Sequence, residues 1–516
     1  MRMRLLLLAM LLLAGCATQD VPRPDSYALP TQDSPLAQEL RRLAEQQPSG
    51  YSGFRLLPAS PEAFAARMKM IGAAQVSLDV QYYIVHDGLT TRALVNELLQ
   101  AADRGVRVRI LLDDLTSDGS DYQIATLAAH PNVQIRVFNP LHLGRSNMLT
   151  RSLGRLLHLS QQHRRMHNKL LLADGSLAIV GGRNLGDEYF DADQTFNFTD
   201  IDLLGAGPVA AQLADSFDQY WNHSLSVPIQ QFLRRPPRGE DLEQARRQMD
   251  EYLEAERTHG DPRLQKLLSE HSQTTLRQWL QELTWAPSEA LWDHPDKIRA
   301  DGIPDPELLL TRQLQTALDG VQRELVLVSA YFVPTRDGVE YFAGLSESGV
   351  DIKVLTNSLE ATDVPAVHGG YAPYRRELLE LGVRLYEMRR QPDQDAPVSF
   401  TGDSESSLHS KAAIFDRQSV FLGSLNFDPR SVLWNTEVGI LVHSPELASE
   451  TRQLTLEGTV PAVSYEVRLE GRGDDARMVW IAEEQGEPLI LYREPGGIWR
   501  RLNAWMARVI GLERML

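Results

Sequence analysis

One arrangement of reactive side chains occurs twice in this 516-residue chain. Each copy has a histidine, a lysine two residues later, an aspartate five residues after the lysine and an asparagine 17 residues after the histidine. The copies consist of His167, Lys169, Asp174 and Asn184, and of His409, Lys411, Asp416 and Asn426. Two matches with identical downstream spacing indicate one structural unit that is present twice.

These residue types suit the exchange of a phosphodiester through a covalent intermediate. An imidazole titrates near neutral pH, so one histidine can attack phosphorus while the other carries a proton for the leaving alkoxide. Lysine ammonium groups and asparagine amides can hold the equatorial oxygens of the phosphate. One histidine from each copy can lie on either side of a phosphate held between two lobes.

The local pattern predicts how each copy is held. Lys169, Leu171 and Ala173 alternate along a short stretch, which indicates a strand. Since the histidine and lysine are two residues apart, both point to the same face. The aspartate falls at a turn, and a second apolar strand leads into a glycine turn, Gly181-Gly182 in the first copy and Gly423-Ser424 in the second.

The paired motifs resemble those of the phospholipase D superfamily, and most closely the C-type bacterial cardiolipin synthases. The likeness extends over almost all of residues 50–500, including 79–84, 329–336 and 355–359. This resemblance implies that two lobes form one active site and that neither a metal nor another cofactor is needed. The two lysines take the place that a metal ion fills in other phosphodiesterases.

The resemblance also implies roles for the catalytic residues. Spacing alone leaves open which histidine attacks. In the superfamily the N-terminal motif usually provides the nucleophile, which favours His167, with His409 as the acid and then the base. Asn184 and Asn426 are predicted to bind phosphate oxygens. The motif aspartates, Asp174 and Asp416, sit at turns, so we expect them to brace the strands.

A second pair of acidic residues is predicted to orient the imidazoles. Asp200, in Thr199-Asp200-Ile201, matches Glu437, in Thr436-Glu437-Val438. A carboxylate there can accept the Nδ1 proton and leave Nε2 for phosphorus. The alternative interpretation is an ordinary carboxylate at the end of a strand.

Strands alternate with helices in both halves, which predicts an α/β fold. We expect two similar lobes, each a mainly parallel sheet covered by helices. In the first half the predicted elements are helix 61–71, strand 75–84, helix 90–104 and strands 106–112 and 133–139. In the second half they are strand 324–332, helix 338–348, strand 351–357, helix 374–381 and strand 384–388.

The predicted domains are a lipoprotein signal peptide (1–15), a flexible tether (16–48), an N-terminal lobe (49–226), a helical connector (227–303), a C-terminal lobe (304–460) and an extension (461–516). The extension ends in a basic amphipathic helix, which can lie in a membrane interface or dock on the protein's own surface.

The N-terminus predicts attachment to a membrane. Arg2 and Arg4 precede a short apolar run that ends in Leu13-Ala14-Gly15-Cys16, which resembles the bacterial lipobox. Cys16 is the only cysteine and the predicted lipidation site; the alternative is an ordinary cleaved signal. Ala17 favours sorting to the outer membrane over the inner membrane, so we expect a lipid-anchored protein that faces the periplasm.

The composition disfavours some classes of protein. The net charge of −17 opposes nonspecific binding of nucleic acid, and a single cysteine excludes an internal disulfide framework. The leading hypothesis is a phosphatidyltransferase that makes cardiolipin from phosphatidylethanolamine and phosphatidylglycerol through a phosphohistidine. Alternatives are a phospholipase D that uses water, a nuclease, and a non-catalytic lipid-binding scaffold. The sequence leaves open whether an accessory protein takes part.

Overall fold

The computed structural model describes residues 21–31, 33–115, 121–141, 163–260, 265, 267, 275–393, 405–471 and 473–510. The predicted signal peptide and Cys16 therefore lie outside the described residues.

Part of the segment 16–48, which was predicted to be a flexible tether, folds into a helix at residues 35–44, with Leu36, Ala37 and Leu40 buried. In the N-terminal half, the five predicted helices and strands are confirmed, with boundaries within two residues, and further elements lie before, between and after them. Its elements are α1 (Pro35–Ala44), β1 (Ser52–Leu57), α2 (Ser60–Ala73), β2 (Ser77–Tyr82), α3 (Leu89–Asp103), β3 (Arg107–Asp113), α4 (Asp121–Leu127), β4 (Val133–Phe138), β5 (Leu170–Ala173), β6 (Leu177–Gly181), β7 (Phe196–Thr199), β8 (Asp202–Ala206), α5 (Pro208–Asn222) and β9 (Ser226–Pro228).

The rest of the chain repeats this order after a connecting segment, and its predicted boundaries hold within three residues. The elements are α6 (Gly239–His259), α7 (Leu276–Gln281), β10 (Thr284–Ala286), β11 (Ser288–Trp292), α8 (Leu310–Asp319), β12 (Glu324–Ser329), α9 (Thr335–Glu347), β13 (Asp351–Asn357), α10 (Pro365–Tyr371), α11 (Arg375–Glu380), β14 (Arg384–Met388), β15 (Glu405–Leu408), β16 (Lys411–Phe415), β17 (Ser419–Gly423), β18 (Val438–Val442), α12 (Pro445–Glu457), β19 (Ser464–Glu470), β20 (Arg477–Glu484), β21 (Glu487–Leu491) and α13 (Ile498–Ile510).

Two large sheets of matching topology confirm the α/β class and the two similar lobes. Their strand orders are β10-β1-β8-β6-β5-β2-β3-β4-β9 and β11-β18-β17-β16-β12-β13-β14-β19-β20-β21. The sheets are mixed, however, and the prediction of mainly parallel sheets was wrong. Within the two large sheets, only β2-β3-β4 and β12-β13-β14 run parallel. The motif strands enter as antiparallel hairpins, which need no helical crossover.

The segment predicted as a helical connector contains strands as well as helices. β10 pairs with β1 at the edge of the first sheet, and β11 pairs with β18 at the edge of the second. Beyond residue 460, β19 pairs with β14 and widens the second sheet. The domain boundaries themselves remain predictions.

The two sheets pack against each other and share one apolar core. Phe54, Leu172 and Val180 of the first sheet join Ile414 and Ile440 of the second in one buried cluster. Helices cover the opposite face of each sheet, with α2 and α3 on the first and α8 and α9 on the second. Both faces of each sheet are therefore buried, and the central strands are buried over almost their whole length, including polar side chains such as Asp79 and Arg109.

Candidate active site

The two motif hairpins lie at equivalent places in the two sheets. His167 precedes β5, which pairs with β2 on one side and β6 on the other. His409 precedes β16, which pairs with β12 and β17. The predicted strand after each histidine, and the second strand that leads to the glycine turn, are both confirmed.

The motif aspartates bind main-chain N–H groups. Asp174 adopts a positive φ of 48°, and its carboxylate accepts hydrogen bonds from the nitrogens of Gln75, Val76 and Ser77 at 2.8 to 3.2 Å. Asp416 does the same before β12, accepting from residues 322–324 at 2.7 to 3.2 Å. Both carboxylates therefore tie the motif hairpin to the neighbouring strand, as expected for bracing residues.

The two lobes exchange main-chain hydrogen bonds at the histidines. The His167 nitrogen donates to the carbonyl oxygen of Thr436 at 2.9 Å, and the His409 nitrogen donates to that of Thr199 at 2.8 Å. Strands β7 and β15 form a separate parallel pair that brings Leu408 beside Thr199. Each histidine is thus placed next to the residue that precedes the acidic residue of the other lobe.

Each imidazole consequently meets a carboxylate from the opposite lobe. Nδ1 of His167 lies 2.8 Å from Oε2 of Glu437, and Nδ1 of His409 lies 2.7 Å from Oδ2 of Asp200. All four side chains are buried. The carboxylates fix the ring orientation and occupy Nδ1, so Nε2 is the nitrogen that remains for phosphorus.

The glycine turn of each motif supports the carboxylate. A Cβ atom on Gly182 would lie 2.3 Å from Oδ2 of Asp200, so a larger residue there would displace this carboxylate. The corresponding residue in the second copy is Ser424, whose hydroxyl donates to Oε2 of Glu437 at 2.5 Å. Gly182 therefore leaves room for the Asp200 carboxylate, and Ser424 binds the Glu437 carboxylate.

Two buried lysines set the charge of the site. Lys169 Nζ donates to the carbonyl oxygen of His167 at 2.7 Å, and Lys411 makes the equivalent bond to His409. Burial, followed by the charges of both lysines, holds the pKa of each histidine well below its usual value. Both imidazoles are therefore neutral at neutral pH in the protein alone.

Burial acts in the opposite direction on the carboxylates. It raises the pKa of Glu437 to about 7, although Lys169 and the Ser424 hydroxyl counteract it. Burial also raises the pKa of Asp200, against the charge of Lys411. The Glu437–His167 pair can therefore exchange a proton near neutral pH, and burial favours the protonated form of Asp200 in the other pair.

The predicted phosphate-binding asparagines are buried behind the glycine turns. Asn184 donates through Nδ2 to the Tyr189 hydroxyl at 2.9 Å and accepts from the Ile84 nitrogen at 3.2 Å. Oδ1 of Asn426 has no hydrogen-bond partner among the described residues. Their role in phosphate binding stays a prediction.

Aromatic rings and one exposed acid complete the surroundings. Tyr83 meets His167 edge-to-face at 4.9 Å, and Phe198 lies 4.9 Å from His409 between ring centroids. The Tyr331 hydroxyl donates to Asp363 at 2.8 Å. The family-like stretches 79–84 and 329–336 contain both tyrosines, but no signal in the sequence singled out Asp363.

Comparison with known proteins agrees with this geometry. The family model described as "Cardiolipin synthase, PLD-like domain" matches residues 68–221 and 314–455, one range in each lobe. The chain belongs to this family. The resemblance predicted from the paired motifs is thereby confirmed, and the family is one of enzymes.

Individual relatives match over most of their length. Cardiolipin synthase C of Escherichia coli is 38% identical over 93% of this chain and 99% of its own. Cardiolipin synthase B of Salmonella typhimurium is 25% identical over 79% of this chain and 80% of its own. Among solved structures, phosphatidylserine synthase of Haemophilus influenzae has the same fold, with a TM-score of 0.53 and 14% identity over 81% of this chain and 89% of its own.

Within the residues that the structure describes, no helix combines the length and the apolar character that a membrane span requires.

Proposed function

We propose that this protein makes cardiolipin by moving a phosphatidyl group between phospholipids through a phosphohistidine. The observation that carries the proposal is the pair of buried imidazoles, each held by a carboxylate of the opposite lobe, in a chain 38% identical to a cardiolipin synthase over nearly its whole length. The proposed donor is phosphatidylethanolamine, and the proposed acceptor is phosphatidylglycerol.

The chemistry runs in two displacements at phosphorus. In the first, Nε2 of His167 forms a bond to the donor phosphorus, the bond to the ethanolamine oxygen breaks, and His409 gives that oxygen a proton. In the second, His409 takes the proton of the glycerol hydroxyl of phosphatidylglycerol, whose oxygen attacks phosphorus and releases His167. The products are cardiolipin and ethanolamine, and one ester replaces another without input from a nucleotide.

Local charges favour His167 as the nucleophile. Beyond burial and the two lysines, Arg430 lowers the pKa of His167, which keeps this imidazole unprotonated. Burial and the two lysines also lower the pKa of His409, but the charge of Asp363 partly opposes them. The negative charge of a bound phosphodiester opposes them as well and favours the protonated form of His409 that acts as the acid.

The positive charge on the phosphate comes from Lys169 and Lys411. Both side chains are buried beside the histidines; burial lowers the pKa of each amine, and the negative charge of a bound phosphodiester favours the protonated form. In a site that excludes water, such fixed charges stabilise the pentavalent transition state more strongly than they would in solution. This arrangement supports phosphoryl chemistry carried by the chain's own side chains.

We further propose that Cys16 carries the lipid anchor and that the enzyme faces the periplasm from the outer membrane. The lipobox-like sequence supports this placement, and it keeps the site within reach of phospholipid headgroups.

Product analysis tests the proposal. Purified protein is incubated with phosphatidylethanolamine and phosphatidylglycerol, each alone and together, beside His167→Ala and His409→Ala variants. We expect cardiolipin to require both lipids and to be lost in both variants. Phosphatidic acid as the sole product would instead show that water is the acceptor, and absence of any lipid turnover would refute the proposed transfer.

A further inference from the structure

Helix α13 presents a continuous apolar face to solvent. Six large apolar side chains of α13 are exposed to between 42% and 78%. At 3.6 residues per turn, these positions fall within an arc of about 120°. We use the term α13 face for this set, which consists of Ile498, Trp499, Leu502, Trp505, Met506 and Val509.

The opposite side of α13 docks on the protein. Ala504 and Ala507 are buried, and α10 approaches them closely. A Cβ atom on Gly369 of α10 would lie 2.3 Å from the carbonyl oxygen of Ala504, so this contact requires glycine. The helix is therefore packed through its small residues while its large ones point away. The sequence offered docking and membrane contact as alternatives, but different sides of one helix can provide both.

A buried ionic cluster fixes the segment that leads into α13. Glu494 lies 2.6 Å from Nε2 of His368 and also pairs with Arg375. Arg375 lies 3.3 Å from Glu387 as well. The Arg375 guanidinium therefore lies among His368, Glu387 and Glu494. These contacts hold the segment before α13 on the C-terminal lobe.

Helix α13 is also tied to the loop beside His409. Arg500 donates to the carbonyl oxygens of Leu359 and Thr362 at 3.3 and 2.6 Å. This loop follows Asn357, whose side chain both donates to and accepts from the main chain of Leu408 at 2.8 Å. Since Leu408 precedes His409, only a few contacts separate the helix from the catalytic motif. The exposed Asp363 of the same loop marks the edge of the site.

The charge of α13 differs from that of the chain. Residues 498–510 contain Arg500, Arg501 and Arg508 and no acidic residue, whereas the whole protein has a net charge of −17. Arg501 and Arg508 are exposed at one border of the α13 face. Long arginine stems can lie along apolar surface while their charged ends reach headgroup phosphates. Tryptophan is the side chain most typical of this boundary between water and lipid.

We propose that the α13 face docks onto a bilayer surface that contains anionic phospholipid and holds the opening of the active site against that surface. An apolar arc with exposed tryptophans and bordering arginines fits the headgroup region of such a bilayer. The effect of this docking on catalysis rests on the proposed function. The binding of the α13 face to the bilayer does not depend on it.

A local probe tests the docking. The full chain carries Cys16→Ser and either Val509→Cys or, as a matched control, Ile303→Cys, each labelled with a polarity-sensitive fluorophore. Ile303 is 80% exposed and lies outside α13. With vesicles of phosphatidylethanolamine and phosphatidylglycerol, we expect a blue shift and quenching by nitroxide-labelled acyl chains at Val509 only. Equal behaviour of the two probes would overturn the proposal.

Variants separate the apolar and ionic contributions. Trp499→Glu with Trp505→Glu should abolish the Val509 blue shift without changing Tm, because both rings are exposed. Arg501→Gln should weaken partitioning onto anionic vesicles roughly five-fold and leave partitioning onto phosphatidylcholine vesicles little changed. If the probe is shielded without vesicles and the particle has the mass of two chains, a second copy covers the α13 face and the proposal is wrong.

An activity measurement distinguishes this proposal from the proposed function. The double glutamate variant should lose turnover on vesicles but retain it on short-chain, monomeric phospholipids. Equal loss on both substrates would contradict a docking role. If the unmodified protein turns over neither substrate, the proposed function fails, and the fluorescence result still decides whether the helix binds lipid.

Discussion

His167 Nδ1 lies 2.8 Å from Oε2 of Glu437, although the two residues are 270 positions apart in the chain. The His409–Asp200 contact is its counterpart, at 2.7 Å across 209 positions. Each lobe supplies the imidazole of one pair and the carboxylate of the other. Neither lobe contains a complete pair, so both halves are needed to form either acid–imidazole contact.

The crossed pairs predict that loss of either carboxylate impairs turnover. Glu437→Gln and Asp200→Asn keep the side-chain shape but remove the charge that orients the imidazole and stabilises its protonated form. We expect kcat to fall roughly 100-fold or more, with a smaller change in KM. Steady-state kinetics with Glu446→Gln, an exposed carboxylate on α12, provides the control. An unchanged kcat in the Glu437 variant would exclude an orienting role.

The Glu437 carboxylate also predicts a pH dependence. Because burial raises its pKa to about 7, Glu437 becomes protonated as the pH falls through this value and no longer attracts the Nδ1 proton of His167. Activity should therefore decline on the acid side with an apparent pKa near 7. The pH–rate profile of Glu437→Gln should lack this limb; its persistence would assign the titration to another group.

Asp363 predicts a shift on the alkaline side. Burial and the two lysines lower the pKa of His409, and the Asp363 carboxylate partly opposes them, so Asp363→Asn lowers the protonated fraction of the proposed acid. We expect the alkaline limb of the pH–rate profile to move to lower pH. Asp250→Asn, the same charge change on the exposed side of α6, should leave the profile unchanged. A profile in the Asp363 variant that matches the unmodified enzyme would contradict the assignment of His409 as the acid.

The motif aspartates predict an effect on stability. Asp174→Asn removes a buried charge that accepts three main-chain hydrogen bonds, which should lower the free energy of unfolding by about 2 kcal/mol. Asp416 is less buried, so Asp416→Asn should cost less. Urea denaturation measures both effects. Retained stability together with lost kcat would instead place these carboxylates in the chemistry.

Local patterns were sufficient to predict much of this fold. Alternating apolar residues around Lys169 and Lys411 predicted the motif hairpins, and the match between residues 199–201 and 436–438 identified the orienting acids. Each histidine contacts the carboxylate of the other lobe because of the way the two sheets pack. This packing cannot be read from the spacing of residues along the chain. The prediction of mainly parallel sheets failed because only three strands of each sheet are connected through helices as parallel neighbours. The remaining strands pair in antiparallel fashion. β10 and β11 are too short to give a periodic signal.

Covalent transfer through His167 can be tested by trapping the intermediate. Protein is mixed briefly with phosphatidylethanolamine that carries radioactive phosphorus, then quenched in alkali, where a phosphohistidine bond survives, and the labelled peptide is sequenced. We expect the radioactive phosphorus on His167, its transfer to cardiolipin when phosphatidylglycerol is added before the quench, and no label in His167→Ala. Label on His409 alone, or cardiolipin synthesis by His167→Ala, would contradict transfer through His167.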